Sequence, residues 1–153
     1  MLIFESVSAS IGGNKVLRGI SARFERGATV AIVGRNGAGK TTLLRLVMGF
    51  LPRHEGRVLF DGKDLAEVPA RDRARLGIGY APEDRILFPS FSVEENLRFP
   101  CEVIGMPPRA VDARLAETLS IVPELEPMLG RSGAALSGGQ GKMVALGRAI
   151  MAG

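Results

Sequence analysis

An α/β fold with an antiparallel β edge and a separate helical region is predicted from three observations. Strand-like patterns dominate the first 33 residues, a glycine-rich segment then opens directly into an amphipathic helix, and helical patterns replace strands after Pro82. Within the first stretch, Ile20, Ala22 and Phe24 alternate with polar neighbours, as in a half-buried strand. Residues 29–33 form a continuous apolar run between Gly27 and Gly34, which reads as a strand buried on both faces. Leu43, Leu46, Val47 and Phe50 then mark one face of a helix that Pro52 stops. Residues 58–60 lead into the turn pair Asp61 and Gly62. Residues 69–76 read as a short helix closed by Gly77, and 78–81 as a further short buried strand. Ser92 with Glu95 forms a capping box that opens a helix towards Ile104. After the break at Pro107 and Pro108, Val111, Leu115, Leu119 and Val122 make a second helical stripe. Ser137 with Gln140 opens a last helix.

The length, 153 residues, suits one ordinary domain. With 46% hydrophobic and 24% charged residues, the chain can bury a core and is not of the disordered class. Twenty Lys and Arg against 16 Asp and Glu leave +4, a mild excess that suits an anionic ligand without selecting one. The single cysteine, Cys101, excludes an internal disulfide framework and a cysteine-based zinc site, and fits a reducing compartment. The N-terminal residues have no basic segment followed by an apolar core, so they are not a secretory signal. The apolar runs are far shorter than the ~20 residues that span a bilayer, so any membrane role is expected to pass through a partner. No internal repeat is present.

Chemistry is concentrated in two places. Residues 34–41, GRNGAGKT, match the spacing of a phosphate-binding loop and lie between a strand pattern and a helix start. Gly34, Gly37 and Gly39 let the backbone curl closely around a polyphosphate. Arg35, Asn36 and Ala38 complete the loop. Lys40 is expected to reach the β- and γ-phosphates and Thr41 to place its hydroxyl on Mg²⁺, with Thr42 next in the first helical turn. About a hundred residues on, Ser137, Gly138, Gly139 and Gln140 gather exposed N–H groups and a hydroxyl at the positive end of a helix, a second place for an anion.

With a phosphate loop in the same chain, LSGGQ resembles the signature motif of ABC-type ATPases. More narrowly, GRNGAGKTTLLR, LGIGYAPEDRILFPSFSVEENL and LSGGQ followed by MVALGRAIMAG resemble the ATP-binding subunit of branched-chain amino-acid importers. The resemblance implies a P-loop ATPase core of the ABC type lacking its last strands. It divides the chain into a nucleotide-binding core at 1–83, a helical subdomain at 84–136, and the signature motif with its helix at 137–153. ATP and Mg²⁺ are the implied cofactors. Glu83 stands at the family's Q-loop position, usually Gln but often a carboxylate in the branched-chain subgroup, and links the Mg²⁺ site to the membrane subunit. Ile11 stands where an aromatic residue usually stacks on adenine, so weaker adenine affinity is expected. The implied partners are integral-membrane permease subunits, received near residues 85–88, and a second ATP-binding subunit docked head to tail. The implied location is the inner face of the cell membrane. Family members continue past the position of Gly153 into the Walker B Asp, the catalytic Glu and a switch histidine, so hydrolysis by these 153 residues is expected near background.

Two other readings compete: a non-hydrolysing nucleotide-binding or regulatory module, and a soluble ATPase acting on nucleic acid. The second lacks a basic cluster to support it, and no nucleic-acid partner is expected. His54 reads as a solvated loop residue. Arg71, Arg73 and Arg75 alternate on a short charged segment and read as a solvated face. Glu94 and Glu95 read as structural, and Cys101 as a buried, inert thiol.

Overall fold

The computed structural model describes residues 1–51, 55–84 and 87–153. The helix stop at Pro52, the loop position of His54 and the part of the permease contact at Arg85 lie outside the described residues. The fold is α/β with an antiparallel sheet, and it divides into two compact units, Met1–Arg73 and Ala74–Gly153.

The first unit is built on strands β1 (Leu2–Ile11), β2 (Asn14–Phe24), β3 (Glu55–Phe60) and β4 (Lys63–Asp64), antiparallel throughout in the order β2-β1-β3-β4. Alternation along β1 and β2 sends Phe4, Val7, Ala9 and Leu17 inward, where Val58 of β3 joins them. The β3–β4 turn carries Asp61 at φ 48° and Gly62 at φ 82°, the two positive values that a tight hairpin turn demands. Helix α1 (Lys40–Val47) buries Leu43, Leu46 and Val47.

Several expectations need correction here. Residues 29–33 are not a buried strand: no described strand pairs with them, and Val30, Ile32 and Val33 are 50%, 40% and 87% exposed. An apolar run becomes a central strand only where neighbours complete its ladder on both sides. Phe50 leaves the core face, at 53% exposed, because α1 ends at Val47 and Gly49 turns the chain at φ 74°. The expected helix at 69–76 is broken into the 3-10 turns Ala70–Asp72 and Ala74–Leu76. Arg73 is no part of a solvated face: it is 7% exposed, its guanidinium donating to backbone carbonyls of its own unit.

The second unit packs α2 (Val93–Val103), α3 (Pro108–Ile121) and α4 (Gly138–Ala152) around Leu97, Cys101, Leu115, Leu125, Val144 and Met151. Residues 78–81 are not a strand either. Gly79 lies so close to the end of α4 that a β-carbon there would sit 1.8 Å from the Ala149 carbonyl oxygen, so this backbone packs on a helix rather than a ladder. Cys101 is buried as expected, its Sγ donating to the Met151 carbonyl at 3.1 Å. Burial pushes its thiol pKa up. Glu94 pairs with Arg98 at 2.7 Å, the structural role expected of it.

The capping box of α2 forms in full: Ser92 Oγ accepts from Glu95 N, and Glu95 Oε2 accepts from Ser92 N at 2.6 Å. The backbone hydrogen bond from Ser92 holds the Glu95 carboxyl below its ordinary value of 4.5. A depressed folded-state pKa contributes stability that is present above 4.5 and is lost as pH falls through the folded value. Glu95→Gln keeps an acceptor without a titration. Its thermal midpoint is therefore expected to fall less than that of the parent chain between neutral pH and about pH 3. Parallel losses in the two proteins would remove Glu95 from the acid response.

Candidate functional site

The glycine-rich segment sits in the first unit, held against β2. Gly39 caps α1 with φ 94°, a conformation open to glycine, and its Cα side is pressed on the hairpin: a β-carbon there would lie 2.8 Å from Leu17 Cδ2 and 3.5 Å from the Val16 carbonyl oxygen. Val16 and Leu17 thus back the loop, a role that motif reading did not find because it comes from packing. Within the loop, Asn36 and Gly37 form a turn, Gly37 with φ 81°, and Ala38 N donates to the Arg35 carbonyl at 3.1 Å. Lys40 folds back over this turn, its Nζ donating to the Gly34 carbonyl at 2.8 Å and the Arg35 carbonyl at 2.9 Å.

The donor chemistry suits a polyphosphate. Helix α1 starts without a side-chain cap and without an acidic residue in its first turn, so N–H groups of Lys40, Thr41 and Thr42 head the helix beside an ammonium group. Gly34, Arg35, Asn36, Gly37 and Ala38 are exposed, as is Thr41, while Thr42 is half-buried. Among the described residues no three His, Cys, Asp or Glu cluster as a metal site. A threonine hydroxyl gives Mg²⁺ one protein oxygen, and this ion usually keeps phosphate oxygens and water for the rest of its shell. Ile11 lies in the same unit at the end of β1, paired with Asn14 across the hairpin turn and 44% exposed.

The remaining candidates belong to the second unit. Glu83 is exposed in a turn with Asp84. Ser137 caps α4: its Oγ accepts from Gln140 N at 3.3 Å, and Gln140 Oε1 accepts from Ser137 N at 3.0 Å. No acidic residue stands in the first turn of α4, and Ser137, Gly138 and Gly139 are exposed. A cleft of about 330 Å³ beside this helix start is lined by Asp84, Leu87, Pro89, Gly133, Leu136, Ser137 and Gly141. In the same unit Asn96 is a fully buried side chain that sequence reading passed over. Its Oδ1 accepts from Phe88 N at 2.9 Å, and its Nδ2 donates to the Phe88 carbonyl at 3.0 Å and the Ser92 carbonyl at 2.9 Å.

Comparison with known proteins bears on both units. Residues 17–153 match the family model described as "ABC transporter". The sn-glycerol-3-phosphate import ATP-binding protein UgpC of Paracoccus denitrificans (strain Pd 1222) is 37% identical over 150 residues, covering 98% of this chain and 41% of that protein. The probable branched-chain amino acid transport ATP-binding protein LivF of Archaeoglobus fulgidus (strain ATCC 49558 / DSM 4304 / JCM 9628 / NBRC 100126 / VC-16) is 32% identical over 136 residues, covering 89% of this chain and 57% of that protein. A solved structure described as the ATP binding subunit of an ABC transporter superposes with a TM-score of 0.85 at 28% identity, covering 99% of this chain and 62% of that one. The chain spans about half the length of these relatives. Their cargoes differ, so similarity does not single out the branched-chain subgroup.

Proposed function

The chain belongs to the ABC transporter family, and from that premise we propose that it is the ATP-binding part of a transporter, with its loop at residues 34–42 holding the triphosphate. The observation that carries this reading is the uncapped, acid-free start of α1 under Lys40, with Gly39 wedged on β2. In this reading Lys40 turns from the Gly34 and Arg35 carbonyls to the β- and γ-phosphates, while backbone N–H groups from Gly37 to Thr42 line the phosphate chain. Thr41 would hold Mg²⁺ through its hydroxyl. Bound Mg²⁺ neutralises charge that builds up on the phosphate oxygens. Ile11 gives adenine an apolar contact without a stacking face.

Ser137, Gly138, Gly139 and Gln140 serve the nucleotide of a second ATP-binding subunit docked head to tail. Residues 1–83 then act as the nucleotide core, 84–136 as the helical region that receives a membrane permease, and 137–153 as the signature. Among the described residues no helix is long and apolar enough to cross a membrane. We place the chain at the inner face of the cell membrane. For cargo we propose branched-chain amino acids, supported by the likeness to LivF and by the carboxylate at Glu83; the higher identity to UgpC favours a different cargo.

Titration calorimetry with MgATP tests the nucleotide reading, and Ile11 gives it resolution. The parent chain is expected to bind one ATP, and Ile11→Tyr to bind it about fivefold tighter, equivalent to an aromatic stacking contribution of ~1 kcal/mol. Absence of binding by the parent chain would sink the assignment. A tyrosine that changes nothing would move the adenine away from the hairpin tip.

A further inference from the structure

We infer that Arg73 is a positioning residue for the phosphate loop, acting through the far end of α1; the inference rests on the reading of residues 34–42 as a nucleotide site. Arg73 lies inside the first unit, 7% exposed, and its guanidinium fans out to two parts of the chain. Nη1 donates to the carbonyls of Leu46, at 2.9 Å, and Val47, which belong to the last turn of α1. Nη2 donates to the Leu65 carbonyl at 2.7 Å and Nε to the Val68 carbonyl at 3.1 Å, on the segment that leaves β4.

One planar cation therefore ties the carbonyl end of α1 to a segment anchored on the sheet. The Val68, Leu46 and Leu65 carbonyls are met by separate nitrogens, which a single lysine ammonium cannot reproduce in that spread. A positive group at this end also complements the helix dipole. The chain gives way to the guanidinium: Gly49 follows α1 after the single residue Met48, and a β-carbon there would lie 2.8 Å from Arg73 Cζ.

The link to function is mechanical. Helix α1 has only eight residues, a stiff rod of about 12 Å. At its other end the first-turn N–H groups and Lys40 form the phosphate site, where Gly39 rests on Leu17. Leu43, Leu46 and Val47 hold the underside of the rod by burial, which fixes its depth far better than its tilt. Directional hydrogen bonds at the carbonyl end fix the tilt. Arg73 touches no nucleotide in this scheme, and its influence is on where the donors at the opposite end point.

The experiment compares the parent chain with Arg73→Lys, Arg73→Met and Lys40→Ala, at a temperature where circular dichroism finds each folded. MgATP affinity and the ¹⁵N amide resonances of Gly39, Lys40 and Thr41 are measured. Arg73→Lys is expected to bind MgATP about tenfold more weakly, the equivalent of one misaligned charge-assisted hydrogen bond, and to displace all three amide resonances without ligand. Arg73→Met is expected to lose more. Arg73→Lys with parental affinity and unmoved amides would overturn the inference. So would a loss that follows only the unfolded fraction and recovers on cooling, or failure of Arg73→Lys to fold, since either leaves Arg73 a residue of folding alone. If the parent chain itself does not bind MgATP, or binds as Lys40→Ala does, the site reading fails instead, and the unliganded amide shifts still decide whether Arg73 governs the loop.

Discussion

Lys40→Ala is expected to weaken MgATP binding by about 100-fold, the effect of removing one strong charge-assisted contact to a polyanion. The size follows from what else lines the loop. The other donors assigned to the phosphates are backbone N–H groups, and Lys40 is the cation that already lies over the loop, 2.8 and 2.9 Å from the Gly34 and Arg35 carbonyls. Alanine removes the charge and the two cross-links together. Lys40→Arg separates these contributions, because it keeps the charge in a wider, planar shape that the curl around Gly37 was not built to hold. Arginine is therefore expected to recover part of the affinity lost with alanine. Helix α1 itself is expected to survive, since Leu43, Leu46 and Val47 keep it seated. Equal MgATP affinities for the parent chain and Lys40→Ala in calorimetry would remove the loop from nucleotide binding.

The largest loss of stability is expected from Leu97→Ala, about 3 kcal/mol in urea-induced unfolding of the helical unit. Leu97 is fully buried on α2, and its Cδ2 lies over Gly147 of α4, 2.7 Å from the place a β-carbon would take. Leu125 Cδ1 fills the other side of the same spot, at 2.8 Å. The missing side chain of Gly147 is thus what lets α2 approach α4. Gly147→Ala alone meets two opposing effects of about 1 kcal/mol or more, better helix propensity against overpacking. In the Leu97→Ala background one of the two clashes is gone while Leu125 Cδ1 remains, so the added methyl is expected to cost less than it does in the parent chain. Strictly additive losses in the double-mutant cycle would mean that Leu97 and Gly147 do not share this space.

What could be read from the chain followed the range of the interactions. The phosphate loop, the capping boxes at Ser92 and Ser137, and the turn at Asp61 and Gly62 are set by residues within a few positions of each other, so spacing alone displays them. The apolar run at 29–33 was misread because period and composition describe a strand but not whether other strands flank it. Phe50 continues the helical stripe, yet Gly49 turns the chain before it can join. Arg73 was the deepest miss. Nothing local separates it from Arg71 and Arg75, and its burial is decided by the end of a helix 26 and 27 residues earlier. Asn96 escaped for a different reason: its partners Phe88 and Ser92 are only eight and four residues away, but spacing does not display that the side chain is buried against their backbone groups.

Cys101 turns the helical unit into its own clock. It is the chain's single cysteine, fully buried, with its thiol disfavoured as thiolate by burial and its Sγ engaged by the Met151 carbonyl. A reagent that needs a thiolate has no reaction partner while α2 and α4 stay packed. Modification at this one sulfur therefore counts openings of that core, and counts nothing that happens in the sheet or at the phosphate loop.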